Sequence, residues 1–161
     1  MLSIIAFLVL IAAILIHSTP IIQESCTVKI LNSSLPCWTG ITSPRTCKSA
    51  ILNLGDTKYK SCTTVGLGWW SDSTNSLTIN IETPFTQERQ PYSIYLNNEQ
   101  LKQFKDYDVK IYRILNGQET ELISSDDVII QSSDSNYQVI LKFQGPTMYN
   151  VLPIIYEVVK T

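Results

Sequence analysis

The sequence predicts an all-β protein, a disulfide-stapled antiparallel β-sandwich with at most one short helix. Three observations predict it. About eight to ten short segments alternate apolar and polar residues with the period of two that marks a half-buried strand. Glycine, proline, asparagine and serine clusters separate them at roughly 8–12-residue spacing. Four cysteines, Cys26, Cys37, Cys47 and Cys62, crowd the first part of the chain, and an even count in a secretory context reads as two disulfides.

In chain order, Leu2–Ile16 is an unbroken apolar run followed by His17-Ser18-Thr19-Pro20. The run is shorter than the ~20 residues that span a bilayer and matches the core of a signal peptide. Residues 1–18 are therefore expected to be removed after Ser18, leaving residues 19–161 as one secreted domain without a membrane anchor. Retention as a signal anchor is the alternative, because Ile21-Ile22 prolongs the apolar run. The formal charge is −2, and the 12 basic residues are scattered beyond the apolar run. No basic patch argues for nucleic acid. The only histidine, His17, lies within the expected signal peptide.

Cys26–Leu31 alternates as a first strand, and Asn32-Ser33-Ser34 is an N-glycosylation sequon, which places Asn32 on exposed surface. Leu35–Arg45 reads as a loop: Pro36, Gly40 and Pro44 interrupt regular structure and Trp38 anchors it. Spacing leaves three disulfide pairings open. The expected one is nested, Cys37 with Cys47 inside Cys26 with Cys62. Lys48–Leu54 and Tyr59–Val65 read as strands, and Gly66-Leu67-Gly68-Trp69-Trp70 as a sharp bend beside two large rings. Residues 26–70 thus form a cystine-rich, loop-rich portion, too small at about 50 residues to be a comfortable domain alone.

Leu77, Ile79 and Ile81 alternate with Thr78, Asn80 and Glu82. Pro91–Leu96 is the next strand, and Asn98–Lys105 suits one or two helical turns with Leu101 and Phe104 inward. Tyr107–Ile123 is the clearest element. Asn116-Gly117 has the residues that a two-residue type I′ turn needs, so Leu115 faces Gln118, Arg113 faces Thr120 and Ile111 faces Leu122. Val128–Gln131 and Tyr137–Phe143 follow, joined by the polar Ser132–Asn136. Met148–Val159 is β-forming, with Pro153 expected at an edge or bulge. From Leu77 onward the strand rhythm resembles immunoglobulin-like domains. The resemblance covers the second half only, and no Cys…Trp…Cys spans the sheets, so it implies fold class and no function.

Lack of histidine beyond His17 removes imidazole-based catalysis and His-based metal sites from the mature chain. Glu119 and Glu121 share a strand face, as a carboxylate pair for glycoside hydrolysis would, yet a solvated strand face is the better explanation, since nothing around them demands a raised pKa. Asp126, Asp127, Asp134, Asp106 and Asp108 are turn-forming residues without the spacing of a calcium loop. Gly66-Leu67-Gly68 precedes no helix and is no phosphate loop. No metal or cofactor is expected. Consecutive Trp69 and Trp70 point to opposite faces of an extended strand. One ring is then buried and the other, expected to be Trp70, exposed beside Trp38 or Tyr59 to anchor a partner. The sequence therefore predicts a secreted, non-catalytic interaction module that recognises an extracellular protein or glycan through Trp69, Trp70, Trp38 and Tyr59. A carboxylate-based glycosidase-like hydrolase and a carrier holding an apolar ligand between the sheets are the alternatives.

Overall fold

The computed structural model describes residues 26–31, 33–44, 46–71, 76–82, 89–104, 109–145 and 150–161. Residues 1–18, expected to be a signal peptide, the expected glycosylation residue Asn32, Asp106 and Asp108 lie outside them. In chain order the strands are β1 (Cys26–Thr27), β2 (Lys29–Ile30), β3 (Trp38–Thr42), β4 (Ser49–Asn53), β5 (Thr64–Ser71) and β6 (Ser76–Glu82). Then come β7 (Tyr92–Asn97), helix α1 (Asn98–Lys102), β8 (Lys110–Leu115), β9 (Gln118–Glu121), β10 (Val128–Ser132), β11 (Gln138–Gln144) and β12 (Asn150–Lys160). Two 3₁₀ turns, Leu54–Asp56 and Lys58–Ser61, precede β5. The strands form two six-stranded sheets, one in the order β1-β4-β6-β11-β8-β9 and the other β10-β7-β12-β5-β3-β2.

Both sheets are mixed, which corrects the antiparallel expectation. β1 with β4, β4 with β6 and β3 with β5 run parallel. Parallel neighbours require a crossover between them. Here the crossover is a strand of the other sheet, because the chain from β3 to β6 changes sheet at every step. The first predicted strand also changes sheet midway: Cys26–Thr27 pairs with β4, and Lys29–Ile30 with β3.

The same alternation sets the disulfides, which are Cys26–Cys47 and Cys37–Cys62 rather than the nested pairs. Cys26 and Cys47 flank strands of one sheet, Cys37 and Cys62 strands of the other. The segment between Cys37 and Cys47 is not the expected loop but contains the extended strand Trp38–Thr42, and each of these cysteines is bridged within its own sheet.

Two further expectations fail for local reasons. Gly66-Leu67-Gly68-Trp69-Trp70 is not a bend but the middle of β5. Its alternation places Val65, Leu67 and Trp69 inward, and Tyr59 lies in a 3₁₀ turn before the strand. Pro153 lies on an internal strand, opposite Gly68 of β5. Val158 donates its N–H to Thr63 across that pairing, so by alternation the nitrogen at position 153 faces away from β5. β7 covers that flank only from Tyr156 to Lys160. Proline's missing donor therefore breaks no ladder bond.

Inward residues of both sheets form one core, in which Trp69, Phe143, Leu77, Ile79, Leu141 and Leu152 are fully buried. Hydrogen bonds join the sheets as well. The Tyr92 hydroxyl donates to the Ile81 carbonyl at 2.6 Å. Arg113, on a face the sequence presents as apolar, is buried, and its guanidinium donates to the carbonyls of Ile140, Ser132 and Gln138. Burial lowers the Arg113 pKa, and Asp134 acts in the opposite direction.

Burial pushes the phenols of Tyr92 and Tyr156 well above their ordinary 10.0. The unfolded chain ionises these phenols near pH 10, while the folded chain holds their protons to higher pH. Their contribution is thus complete below pH 10 and is lost as pH rises through the folded values. The denaturant midpoint should hold steady from neutrality towards pH 10 and fall beyond it. Tyr92→Phe should reduce that alkaline loss.

The central hairpin has its predicted register, Leu115 opposite Gln118 and Arg113 opposite Thr120. Asn116 and Gly117 take φ of 52° and 77°. Gly117→Val should cost about 1–3 kcal/mol through backbone strain, read as a lower denaturant midpoint. An unchanged midpoint would contradict the turn. A Cβ at Gly117 meets nothing within 4 Å, so steric overlap would not confuse the result.

Candidate binding face

The two outer faces differ in chemistry. On the sheet containing β6, the isoleucines Ile51, Ile114 and Ile140 are set among Thr78, Asn80, Lys142, Glu119 and Glu121. Such a mixture is ordinary for a face in water. The outer face of the β5 sheet is mainly apolar. Following the register from β3 to β10, one row carries Trp38, Gly66 and Ile155, then Asn97 and Val128. The row on one side holds Thr64, Glu157, Tyr95 and Ile130, and on the other Gly40, Gly68 and Pro153, then Thr42, Trp70 and Val151.

Trp69 is 0% exposed, with its indole N–H donating to the Ser43 hydroxyl at 3.3 Å. Trp70, one residue later, is 42% exposed. Trp38 is 43% exposed and lies across Gly66, where a Cβ would overlap its six-membered ring. At Gly40 a Cβ would sit 2.9 Å from Leu31 Cδ1. The glycines thus let large side chains lie flat on the backbone. Trp38 and Trp70 stand in the rows on either side of a floor of Gly68 and Pro153, which Leu31 continues over Gly40.

Of the four predicted binding residues, the structure brings Trp38 and Trp70 to this face. Trp69 and Tyr59 belong to the core, Tyr59 at 3% exposure. Tyr59 is therefore removed as a surface candidate, because the 3₁₀ turn around it directs its ring inward. Tyr95, Val128, Ile130, Val151, Pro153 and Ile155 were missed. Their signal is the run of consecutive apolar residues, as in Val128-Ile129-Ile130 and Ile154-Ile155, which lines both faces of a strand.

A cleft of about 300 Å³ opens at the β7–β10 end of the face, lined by Tyr95, Val128, Ile155 and Asn97 and by the acidic Glu99, Asp127 and Glu157. Asn97 caps α1 there by accepting the Gln100 N–H at 3.1 Å, which places Glu99 in the first turn. Asp127, also at this end, pairs with Lys102 at 2.8 Å. The other described ion pair joins Lys142 to Glu119 at 2.8 Å, so Glu99 and Glu157 have no cation of their own among the described residues.

The remaining charged candidates are occupied locally. Glu119 and Glu121 are exposed on the opposite sheet, where Lys142 neutralises Glu119. Asp134 accepts the N–H groups of Asn136 and Gln138 and shapes the turn before β11. Among the described residues, no three His, Cys, Asp or Glu side chains are grouped to hold a metal. No family model and no curated protein matches this chain.

Proposed function

We propose that the protein is a secreted, non-catalytic interaction module that docks a partner protein on the outer face of its β5 sheet. The carrying observation is the exposure of Trp38 and Trp70 within a mainly apolar face, whereas the outer face of the opposite sheet is mixed and polar. Contiguous apolar surface of that kind marks interaction sites, and tryptophans dominate binding energy where they anchor. The two disulfides fit an oxidising, extracellular setting. No helix among the described residues is long and apolar enough to cross a membrane. We read the sheets as the layers of a sandwich related in style to immunoglobulin-like domains.

A protein partner is favoured over a glycan by the floor between the tryptophans. Leu31, Gly68, Pro153 and Val151 offer no side-chain hydrogen bonds, and sugar hydroxyls laid there would lose water without compensation. The carrier reading finds little support, since the interior between the sheets is filled by buried side chains.

The test is capture of extracellular protein by the purified secreted chain, alongside a glycan array. Trp70→Ala should lose more than about 2 kcal/mol of binding while folding stays nearly intact, and Tyr112→Ala, on the opposite sheet, should bind as wild type. Capture indifferent to Trp70→Ala would refute the face. A glycan signal abolished by that substitution would replace the protein partner with a sugar.

A further inference from the structure

Glu157 is placed within the apolar face rather than at its margin. In the β5–β12–β7–β10 register it stands between Thr64 and Tyr95, with Ile130 next in the row and Ile155 two residues before it on the same strand. Its carboxylate and that of Glu99 both rim the cleft beside Tyr95, Val128 and Ile155. Neither is paired with a cation among the described residues, because Lys102 is engaged by Asp127 and by the carbonyl of Ser125. Any surface that covers this face removes water from Glu157. Burying an unpaired carboxylate is costly, whereas a desolvated carboxylate facing a matching cation supports binding.

Resting on the docking face argued above, we infer that the partner presents a lysine or arginine side chain, flanked by apolar residues, which enters the cleft between Tyr95 and Val128 and meets Glu157 and Glu99. The cleft has the chemistry for both ends of such a side chain. Val128, Ile155 and the Tyr95 ring can pack along an aliphatic stem, and the rim carboxylates receive the charged head. A lipid surface does not satisfy this arrangement, since hydrocarbon leaves Glu157 unpaired. A second copy of this chain fits poorly as well. It would bring its own Glu157 and Glu99 to the interface, and Lys29, on the outermost strand β2, is the only cation in the described rows to meet them.

The experiment uses the full secreted chain and a displayed library of random linear peptides as the probe. Selection should enrich peptides with a lysine or arginine between apolar residues. Their affinity should fall about tenfold or more in Glu157→Gln, fall with rising salt in the wild type, and depend less on salt in the variant. Trp70→Ala and Ile130→Asp report separately on the face. Peptides sensitive to both of these but indifferent to Glu157→Gln would leave the docking face standing and overturn the cationic partner. Binding indifferent to all three substitutions would overturn both readings. Enrichment of acidic or uncharged peptides, or no enrichment, overturns the inference. Concentration-dependent dimerisation lost in Ile130→Asp, or binding to phosphatidylcholine vesicles lost in the same variant, would assign the face to a second copy or to lipid and overturn it too.

Discussion

Trp69→Ala is expected to lower folding stability by about 3–5 kcal/mol. The ring is fully buried on β5, with Ile41 opposite it on β3 and Leu152 on β12. Removing it leaves a cavity in the shared core and ends the indole bond to Ser43. Chemical denaturation is the measurement, with a lower midpoint and an unchanged slope identifying lost stability rather than an altered unfolded state. Trp70→Ala, one residue away and pointing to the other face, should leave the midpoint close to wild type. Equal losses would mean that β5 does not alternate as described.

Removing Cys37–Cys62 by paired alanine substitution should cost about 3 kcal/mol, the chain-entropy value for a loop of this size. The bridge closes a separation of 25 residues and joins the starts of two neighbouring strands. Cys37 accepts the N–H of Gly66 through its carbonyl at 2.9 Å, so the bridge also holds Trp38 over its glycine. The loss should therefore appear in partner binding as well as in the denaturation midpoint. Unreduced protein should show no reactive thiol among these four cysteines, and peptide mapping should join Cys37 to Cys62. A Cys37–Cys47 peptide would contradict this pairing.

The parts of the fold legible in the sequence are those fixed by neighbours in the chain. Asn116-Gly117 sets its own backbone conformation and hence the β8–β9 register. Leu77, Ile79 and Ile81 declare their buried face by alternation alone. Sheet membership is different in kind. Nothing within Cys26–Cys62 states that successive strands belong to opposite sheets, and both the parallel pairs and the interleaved disulfides follow from that non-local fact. Gly66 and Gly68 misled because glycine usually interrupts a strand. At Gly66 its missing side chain is what admits the Trp38 ring.

The proposed docking face was legible only where a large ring declares itself, at Trp38 and Trp70. Val128-Ile129-Ile130 gave no face assignment, since a continuous apolar run has no period. Only the pairing of β10 with β7 turns Ile130 outward beside Tyr95. Glu157 is isolated in sequence as well: no acidic neighbour marks it, and its place among apolar side chains exists only across strands.

The central claim, that the outer face of the β5 sheet docks a protein, is tested most directly by position-resolved photo-cross-linking of the purified chain in extracellular fluid. A photo-reactive side chain is placed at Trp70, at Ile130, or at Tyr112 on the opposite sheet. The predicted result is one and the same protein partner joined from positions 70 and 130 and none from 112. Adducts from 112 alone, or equally from all three positions, would contradict it.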